Sequence, residues 1–466
     1  MLSRRHFLKN TVLAIPAYSL AGFLLSSCGK QIISPRQNGK KIGIIGAGIA
    51  GLQAAKNLYE QQYEVEIIEA SDRIGGRIFT DSDKMQGFHV ELGADSVYGE
   101  QNKWFQLLQG YTSIETTNHS PATYFINGLR YNQTEINNDS DYTKMLEKLK
   151  GMTSYQSGQD VSLSDYMQAQ NIPERVKFIF SEISEDLIGT SVDRASLRLN
   201  SNEGIGKLNQ IKHQYPNVNL SKVVEKNYQS ILPYVLNNTP IASINYSGDQ
   251  VLVTDKNQVV RTYDKLIVTV PLSILKLQTH EANHIKFVPE LPKEKQIAME
   301  SLGMDSGVRV LLAVNQMFWH AGAKTLYTGG KIGKFDILHE DEANQKHLLS
   351  ATISGEFAEQ HIDMMNEHEL LAFIKNEWKD LIGEDAANSI VDHKFKFWSK
   401  DPYIQGTFSY FKVGGNENSR QILAKPIDNK VFFAGEAYNT GKNSGTVQGA
   451  METADIVSKS ILELSV

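Results

Sequence analysis

The chain has a single cysteine, Cys28, in 466 residues, so no intramolecular disulfide can form, no cysteine-built metal site is possible, and no metal is expected. Stability must come from packing. A chain of this length, 41% hydrophobic and 21% charged, can supply it as an ordinary globular protein of about two or three domains. An excess of basic charge is also lacking. The formal net charge is -6, and it becomes -9 once residues 1–27, which carry Arg4, Arg5 and Lys9 and no acid, are set aside. That sign argues against nucleic acid as a partner; it suits either the gathering of cationic substrates or solubility alone. Internal repeats are absent, and the one low-complexity tract is the polar stretch Asn132–Asp141. The apolar run Thr11–Leu25 is too short and too interrupted for a comfortable membrane span.

That run belongs to a segment that reads as an address. Ser3-Arg4-Arg5-His6-Phe7-Leu8-Lys9 precedes it and Leu25-Ser26-Ser27-Cys28 closes it, which resembles a twin-arginine export signal ending in a lipobox. The resemblance implies a lipidated Cys28 as the mature N-terminus, hence an exported lipoprotein anchored to a membrane on the periplasmic side. A plain anchor helix with a chance cysteine is the alternative. Residues 1–28 are thus expected to be signal and 29–40 a polar linker.

A strand, a glycine turn and a helix follow. Lys41-Ile42-Gly43-Ile44-Ile45 is short, apolar and β-branched; Gly46-Ala47-Gly48-Ile49-Ala50-Gly51 comes next, and Leu52–Tyr59 has helical character. Gly46 permits the tight turn, Gly48 lets backbone approach a pyrophosphate, and Gly51 permits close helix packing, while the helix N-terminus offers N–H groups and positive partial charge. A second strand, Glu64–Ile68, ends at Glu69, eighteen residues beyond Gly51, where a carboxylate can accept hydrogen bonds from a ribose diol. These residues indicate a dinucleotide; they do not say which.

Glu69-Ala70-Ser71-Asp72-Arg73-Ile74-Gly75-Gly76-Arg77 resembles the E-A-x-x-R-x-G-G-R segment of the flavin-containing amine oxidase family, in which the second arginine, here Arg77, meets the FAD diphosphate. Val90-Glu91-Leu92-Gly93-Ala94-Asp95-Ser96 is similar to the family stretch along the isoalloxazine ring, and Ile241 to a residue beside adenine. Residues Asn245–Asp255 read as a hairpin around Ser247-Gly248-Asp249, and Leu266–Pro271 resembles the strand leading out of the FAD domain. At the C-terminus, Lys430–Glu436 and Gly445-Thr446-Val447-Gln448-Gly449-Ala450 are similar to the family's F-A-G-E and G-T-V-x-G-A segments. By that likeness Glu436 binds the ribityl or diphosphate region, and N–H groups near Thr446 and Val447 face flavin N1 and the C2 carbonyl, where hydride transfer deposits charge.

The resemblance implies an α/β fold: a discontinuous Rossmann-like FAD-binding domain (41–98, 222–285 and 425–466) with an inserted α+β substrate-binding domain (99–221 and 286–424). Residues 99 to about 221 look largely helical, with a capping box at Ser162–Asp165 and Val176, Ile179, Phe180, Ile183 and Leu187 on one face, while Val308, Val310, Leu312 and Val314 alternate along a strand. The expected cofactor-binding set is Gly46, Gly48, Ile49, Ala50, Gly51, Glu69, Ala70, Gly76, Arg77, Gly93, Ala94, Asp95, Ser96, Ile241, Glu436, Thr446 and Val447.

The activity implied is oxidation of an amine by non-covalent FAD: hydride passes from the amine α carbon to flavin N5, the imine hydrolyses, and molecular oxygen yields hydrogen peroxide. An apolar pocket favours the neutral amine that hydride loss requires. Candidate catalytic residues are Arg309, Tyr98, Phe408 and Tyr410. The two on the aromatic segment form either a cage for the amine or ordinary core, and Tyr98 either lines the site or merely packs.

Departures from the family pattern narrow the substrate. Many members carry a lysine where Arg309 stands, holding a water near flavin N5. A guanidinium can hold that water but cannot exchange a proton, and it could equally be a structural ion-pair partner. No cysteine lies at Gly406-Thr407-Phe408, so cysteinyl flavin attachment is excluded. Ser96 replaces the arginine by which related L-amino acid oxidases hold a carboxylate, and Tyr98 replaces the acid or histidine common in polyamine oxidases. An amine without a carboxylate is favoured, and a polyamine substrate is not supported. An L-amino acid oxidase with a displaced anchor, or a flavoprotein that passes electrons without oxidase activity, are the other readings.

Overall fold

The computed structural model describes residues 39–117, 120–155, 159–215 and 217–464. The export signal and Cys28 lie outside the described residues, as does most of the expected linker. Among the described residues no helix is long and apolar enough to cross a membrane.

Short apolar runs from three distant parts of the chain build one parallel sheet. Its strands run in the order Val431–Phe433, Lys265–Val268, Lys41–Ile45, Glu64–Ile68, Val235–Leu236, each neighbour parallel. Strands of an all-parallel sheet are covered on both faces, which is why they read as unbroken β-branched runs. On one face the helices Ile49–Glu60 and Val447–Glu463 pack together, placing Leu52, Ala55 and Leu58 beside Ala450, Ala454 and Ile461 over Ile42, Ile44 and Phe432. The other face, carrying Ile45, Ile68, Val268 and Phe433, packs against a four-stranded sheet that contains the hairpin of Ile241–Asn245 and Val251–Asp255. The hairpin spans the turn expected from Ser247-Gly248-Asp249.

A seven-stranded sheet forms the second half, with strand Gly307–Val314 paired antiparallel to Lys346–Ser354 on one side and Ile390–Phe397 on the other. All eight residues of Gly307–Val314 are buried. The alternation of Val308, Val310, Leu312 and Val314 therefore does not separate core from solvent. Those four enter one core, while Leu311 and Ala313 enter a smaller one with Met85, Val90 and Leu92.

The span 99–221 supplies the helices Ser140–Gly151, Leu163–Ala169 and Glu174–Ile188, and Ser162 and Asp165 form the expected capping box. Val176, Ile179, Phe180 and Leu187 are buried on one face, with Ile183 packed beside them. The span is less helical than its pattern predicts. Ala122–Ile126, rich in aromatic and β-branched residues, joins the seven-stranded sheet, where all five residues are buried. The polar tract Asn132–Asp141 is two consecutive helix starts: Asn132 forms a capping box with Glu135, and Asp139 caps the next helix through Asp141 N and Tyr142 N. Trp104, Phe105 and Leu108 enter the core beneath the parallel sheet together with Tyr215 and Val218. Burying each large apolar side chain is worth about 1.5–3 kcal/mol, so this shared core binds the two halves firmly.

Candidate active site

Strand Lys41–Ile45 ends at Gly46, whose φ of +102° only glycine adopts without strain. A Cβ on Gly51 would collide with the Gly46 carbonyl oxygen, so Gly51 works from behind the turn and does not line the cavity in front of it. At Gly48 a Cβ would meet no protein atom within 4 Å. Helix Ile49–Glu60 begins there with no side-chain cap and no acid in its first turn, which leaves its first N–H groups and the positive end of its dipole at the cavity. Glu69, at the end of the neighbouring strand, accepts hydrogen bonds from Ala47 N at 2.7 Å and from Ser71 N and Oγ at 2.9 and 2.7 Å. Gly75 N donates to Ala47 O at 2.8 Å, folding the segment with Ala70 and Gly76 over the glycine turn. This arrangement could hold a phosphate-linked dinucleotide.

The same cavity, about 650 Å³, continues between the two halves. Arg77 Nη1 donates to Glu436 Oε1 at 2.9 Å and to Thr407 O at 2.6 Å. Among the described residues Nε and Nη2 of Arg77 have no partner, which leaves them for an anion. Burial pushes the Glu436 carboxyl up, but Arg77, Ser409 and Arg420 outweigh it and hold the group below the usual carboxylate range. Helix Val447–Glu463 also opens at the cavity: Thr446 Oγ1 caps Gly449 N at 3.1 Å, and Thr446 and Val447 line the wall. Gly93, Ala94, Asp95 and Ser96 line it as well, since Gly93 lies so tightly on the Arg77 carbonyl that no Cβ would fit. Ile241 borders the Glu69 end.

Of the four candidate catalytic residues, Arg309, Tyr98 and Phe408 face the cavity and Tyr410 does not. Tyr410 is 2% exposed and donates to Asp305 Oδ2 at 2.9 Å while packing on Gly303, so it belongs to the core; burial pushes its phenol up. Arg309 Nη2 is paired with Asp95, and Nη1 donates to Thr352 Oγ1 at 3.0 Å. Two residues given separate roles by the sequence, one beside the flavin ring and one on the opposite strand, are thus one ion pair.

Sequence reasoning passed over an acidic wall. Glu182, Glu185 and Asp186 share one face of helix Glu174–Ile188 and border the cavity or a small annex of about 40 Å³ that shares Glu185, Asp186, Arg309 and Asp336 with it. Asp186 and Asp336 are met by Lys334 at 3.0 and 3.2 Å and by Lys212 at 3.4 and 3.3 Å. Burial pushes both carboxyls up, but the two lysines outweigh it and keep them ionised. Among the described residues Glu182 and Glu185 have no such partner. Burial pushes Glu182 up to about 8, with the Glu185 charge adding to it, and Glu185 up to about 7. The spacing of three and four was the available signal, but acids in that pattern usually mark a solvated face. Lys207, also passed over, sits between Tyr98 and Phe408.

A parallel sheet with a glycine turn and its carboxylate, sharing one cavity with a second sheet, defines a two-domain dinucleotide-binding fold. The chain belongs to the flavin containing amine oxidoreductase family, whose model matches residues 49–210 and 234–462. It is 28% identical over 445 residues to lysine-specific histone demethylase 2 of Homo sapiens, covering 89% of this chain and 53% of the relative. The chain therefore spans about half the length of that relative. Probable polyamine oxidase 4 of Arabidopsis thaliana is 26% identical over 87% of this chain and 84% of its own length. Among solved structures, cyclohexylamine oxidase from Brevibacterium oxydans superposes with a TM-score of 0.76 at 19% identity, over 91% of this chain and 99% of that one, and shares the fold.

Proposed function

We propose that the protein is an oxidase of amines that lack a carboxylate, binding FAD non-covalently and producing an imine and hydrogen peroxide. The observation that carries this reading is a single cavity joining the glycine cradle and Glu69 to an aromatic and acidic chamber. The cradle, Arg77 and the N–H groups at Val447 would hold FAD, which supplies a hydride acceptor and passes the electrons to oxygen. Tyr98 and Phe408 present aromatic surface to an amine entering as a cation. Glu185, which has no lysine or arginine ion-pair partner among the described residues, favours that cation and opposes a carboxylate, which disfavours the amino acid reading. The absence of cysteine at Gly406-Thr407-Phe408 supports release of the flavin intact on denaturation.

The test mixes flavin-loaded protein anaerobically with amines, diamines and amino acids, follows bleaching of flavin absorbance, then admits air and measures peroxide. Bleaching by amines and peroxide on aeration are expected. A chain inert to every amine overturns the reading. Bleaching without peroxide supports the second reading, an electron-passing flavoprotein, which the commitment of Arg309 to Asp95 favours. The address motif Ser3–Lys9 and the Leu25–Cys28 lipobox support export and lipid anchoring at Cys28. Cys28→Ala should then leave the membrane fraction, and an unchanged fraction refutes the anchor.

A further inference from the structure

An amine reaches the chamber as an ammonium and must be neutral before its α C–H can leave as hydride, so some group has to take a proton. Arg309 cannot accept one. The Tyr98 phenol is pushed up by burial and is no base at neutral pH. Asp186 and Asp336 are locked between Lys212 and Lys334.

Lys207 is different. It is 3% exposed, yet it lines the cavity, with Nζ 5.1 Å from the Phe408 ring centroid and 5.7 Å from that of Tyr98. Its one hydrogen bond goes to Leu187 O at 3.0 Å. The charged groups that act on it from neighbouring elements are Asp186, Glu436, Arg420 and Glu203, and each is already in an ion pair: Asp186 with Lys334 and Lys212, Glu436 with Arg77, and Arg420 with Glu203 at 2.8 Å. Burial pushes the Lys207 ammonium down to about 8, against the pull of Asp186, Glu436 and Glu203. Among the described residues Lys207 has no ion-pair partner, so no carboxylate in direct contact holds its charge in place.

We propose that Lys207 is the catalytic base that takes the proton from the incoming substrate ammonium. The substrate N–H bond breaks with its electron pair left on nitrogen, and a new N–H bond forms at Nζ. The substrate becomes a neutral amine and Lys207 an ammonium. Donor and acceptor are the same kind of group, so local partners decide the transfer: the Leu187 carbonyl and two aromatic faces receive the new cation. The proton passes to water once the imine has gone.

This inference rests on the amine oxidase reading, and two experiments keep the failures apart. The first compares anaerobic bleaching of flavin-loaded wild type, Lys207→Met and Lys207→Arg across pH with an amine that bleaches the wild type. Both variants should be about 100-fold slower near pH 7, the gap closing to within about tenfold near pH 10, where solution already holds free amine. Full activity in Lys207→Arg would mean that only the charge matters and would overturn the proposal. So would a pH profile that moves in Glu185→Gln but not in Lys207→Met.

The second experiment needs no turnover. Calorimetric titration with tert-butylamine, which has no α C–H to lose, is run in buffers of differing ionisation enthalpy near pH 9, roughly one unit below the ordinary lysine value. Wild type should release almost no proton, because Lys207 keeps it, whereas Lys207→Met should release about one per amine bound. Equal proton counts overturn the assignment, even where no amine bleaches the wild type. If Lys207→Met does not bind the amine, Lys207→Arg, which cannot take a proton either, replaces it and should release about one; equal counts, or release of about one proton by wild type, overturn the proposal.

Discussion

Arg309, on the buried strand Gly307–Val314, is ion-paired with Asp95, which follows Gly93 and Ala94 in the segment that lines the same cavity. Both side chains are largely withdrawn from water, so each is costly without the other. Arg309→Met should lower stability by about 3 kcal/mol, and Arg309→Met with Asp95→Asn should cost less than the sum of the single changes by about 1 kcal/mol or more. Denaturant midpoints of the four proteins measure this. Strictly additive losses would mean that the pair carries no energy.

The family resemblance implies a lysine in many members where Arg309 stands. Arg309→Lys keeps a cation but can exchange a proton, and reoxidation after air is admitted should quicken by about tenfold or more. Stopped-flow absorbance follows it directly, and an unchanged rate would remove the strand's cation from the oxygen step.

Two glycines three residues apart should fail in opposite ways. Gly48→Ala adds a methyl group where no protein atom lies within 4 Å, so the flavin-free fold should lose only a few tenths of a kcal/mol while flavin affinity falls by about tenfold or more. Gly51→Ala drives the methyl into the Gly46 carbonyl and should cost about 1–3 kcal/mol of fold stability. Flavin titration and thermal unfolding of the flavin-free proteins measure the two effects. A Gly51→Ala protein as stable as wild type would deny the close approach of helix and turn.

What the sequence disclosed was what is local in it. Gly46, Gly48, Gly51 and Glu69 lie within one strand, turn, helix and strand, and their spacing alone announces the cradle. Arg77 and Glu436 were recognised separately; that they touch is a product of tertiary folding. The partner of Arg309 and the seat of Lys207 between two aromatic rings were illegible for the same reason, since neither follows from neighbours in sequence. Tyr410 was misplaced because an aromatic segment does not reveal which ring turns inward. Here the Asp305 carboxylate and the bare surface of Gly303 decide it. Asn132–Asp141 looked featureless because composition hides capping geometry.

The acidic wall predicts how cations bind. Among the described residues Glu182 and Glu185 have no lysine or arginine ion-pair partner, and a bound ammonium would supply one. Glu182→Gln with Glu185→Gln should weaken binding of an unreactive diamine by about tenfold and flatten its dependence on salt. Equilibrium titration at two ionic strengths measures both, and equal affinity in the double variant would assign the two acids to structure alone.

Glu91 makes stability depend on pH in an unusual direction. It is buried, accepts from Thr80 Oγ1 at 2.7 Å and Leu220 N at 3.1 Å through one oxygen, and has no partner for the other. Burial pushes its carboxyl from the ordinary 4.5 up to about 8, outweighing both hydrogen bonds. Between those values the folded chain keeps a proton that the unfolded chain releases, so unfolding becomes easier as pH rises. The contribution is fully present below about 4.5 and is lost progressively up to about 8, the reverse of a carboxylate held by an arginine. Glu91→Gln cannot ionise. Near pH 8 it should be more stable than wild type by roughly 1–3 kcal/mol, and near pH 4 the two should agree to about 1 kcal/mol, as read from denaturant midpoints. A constant difference across that range would mean that Glu91 is ionised in the folded protein throughout, with its charge met by the Thr80 hydroxyl and the Leu220 amide.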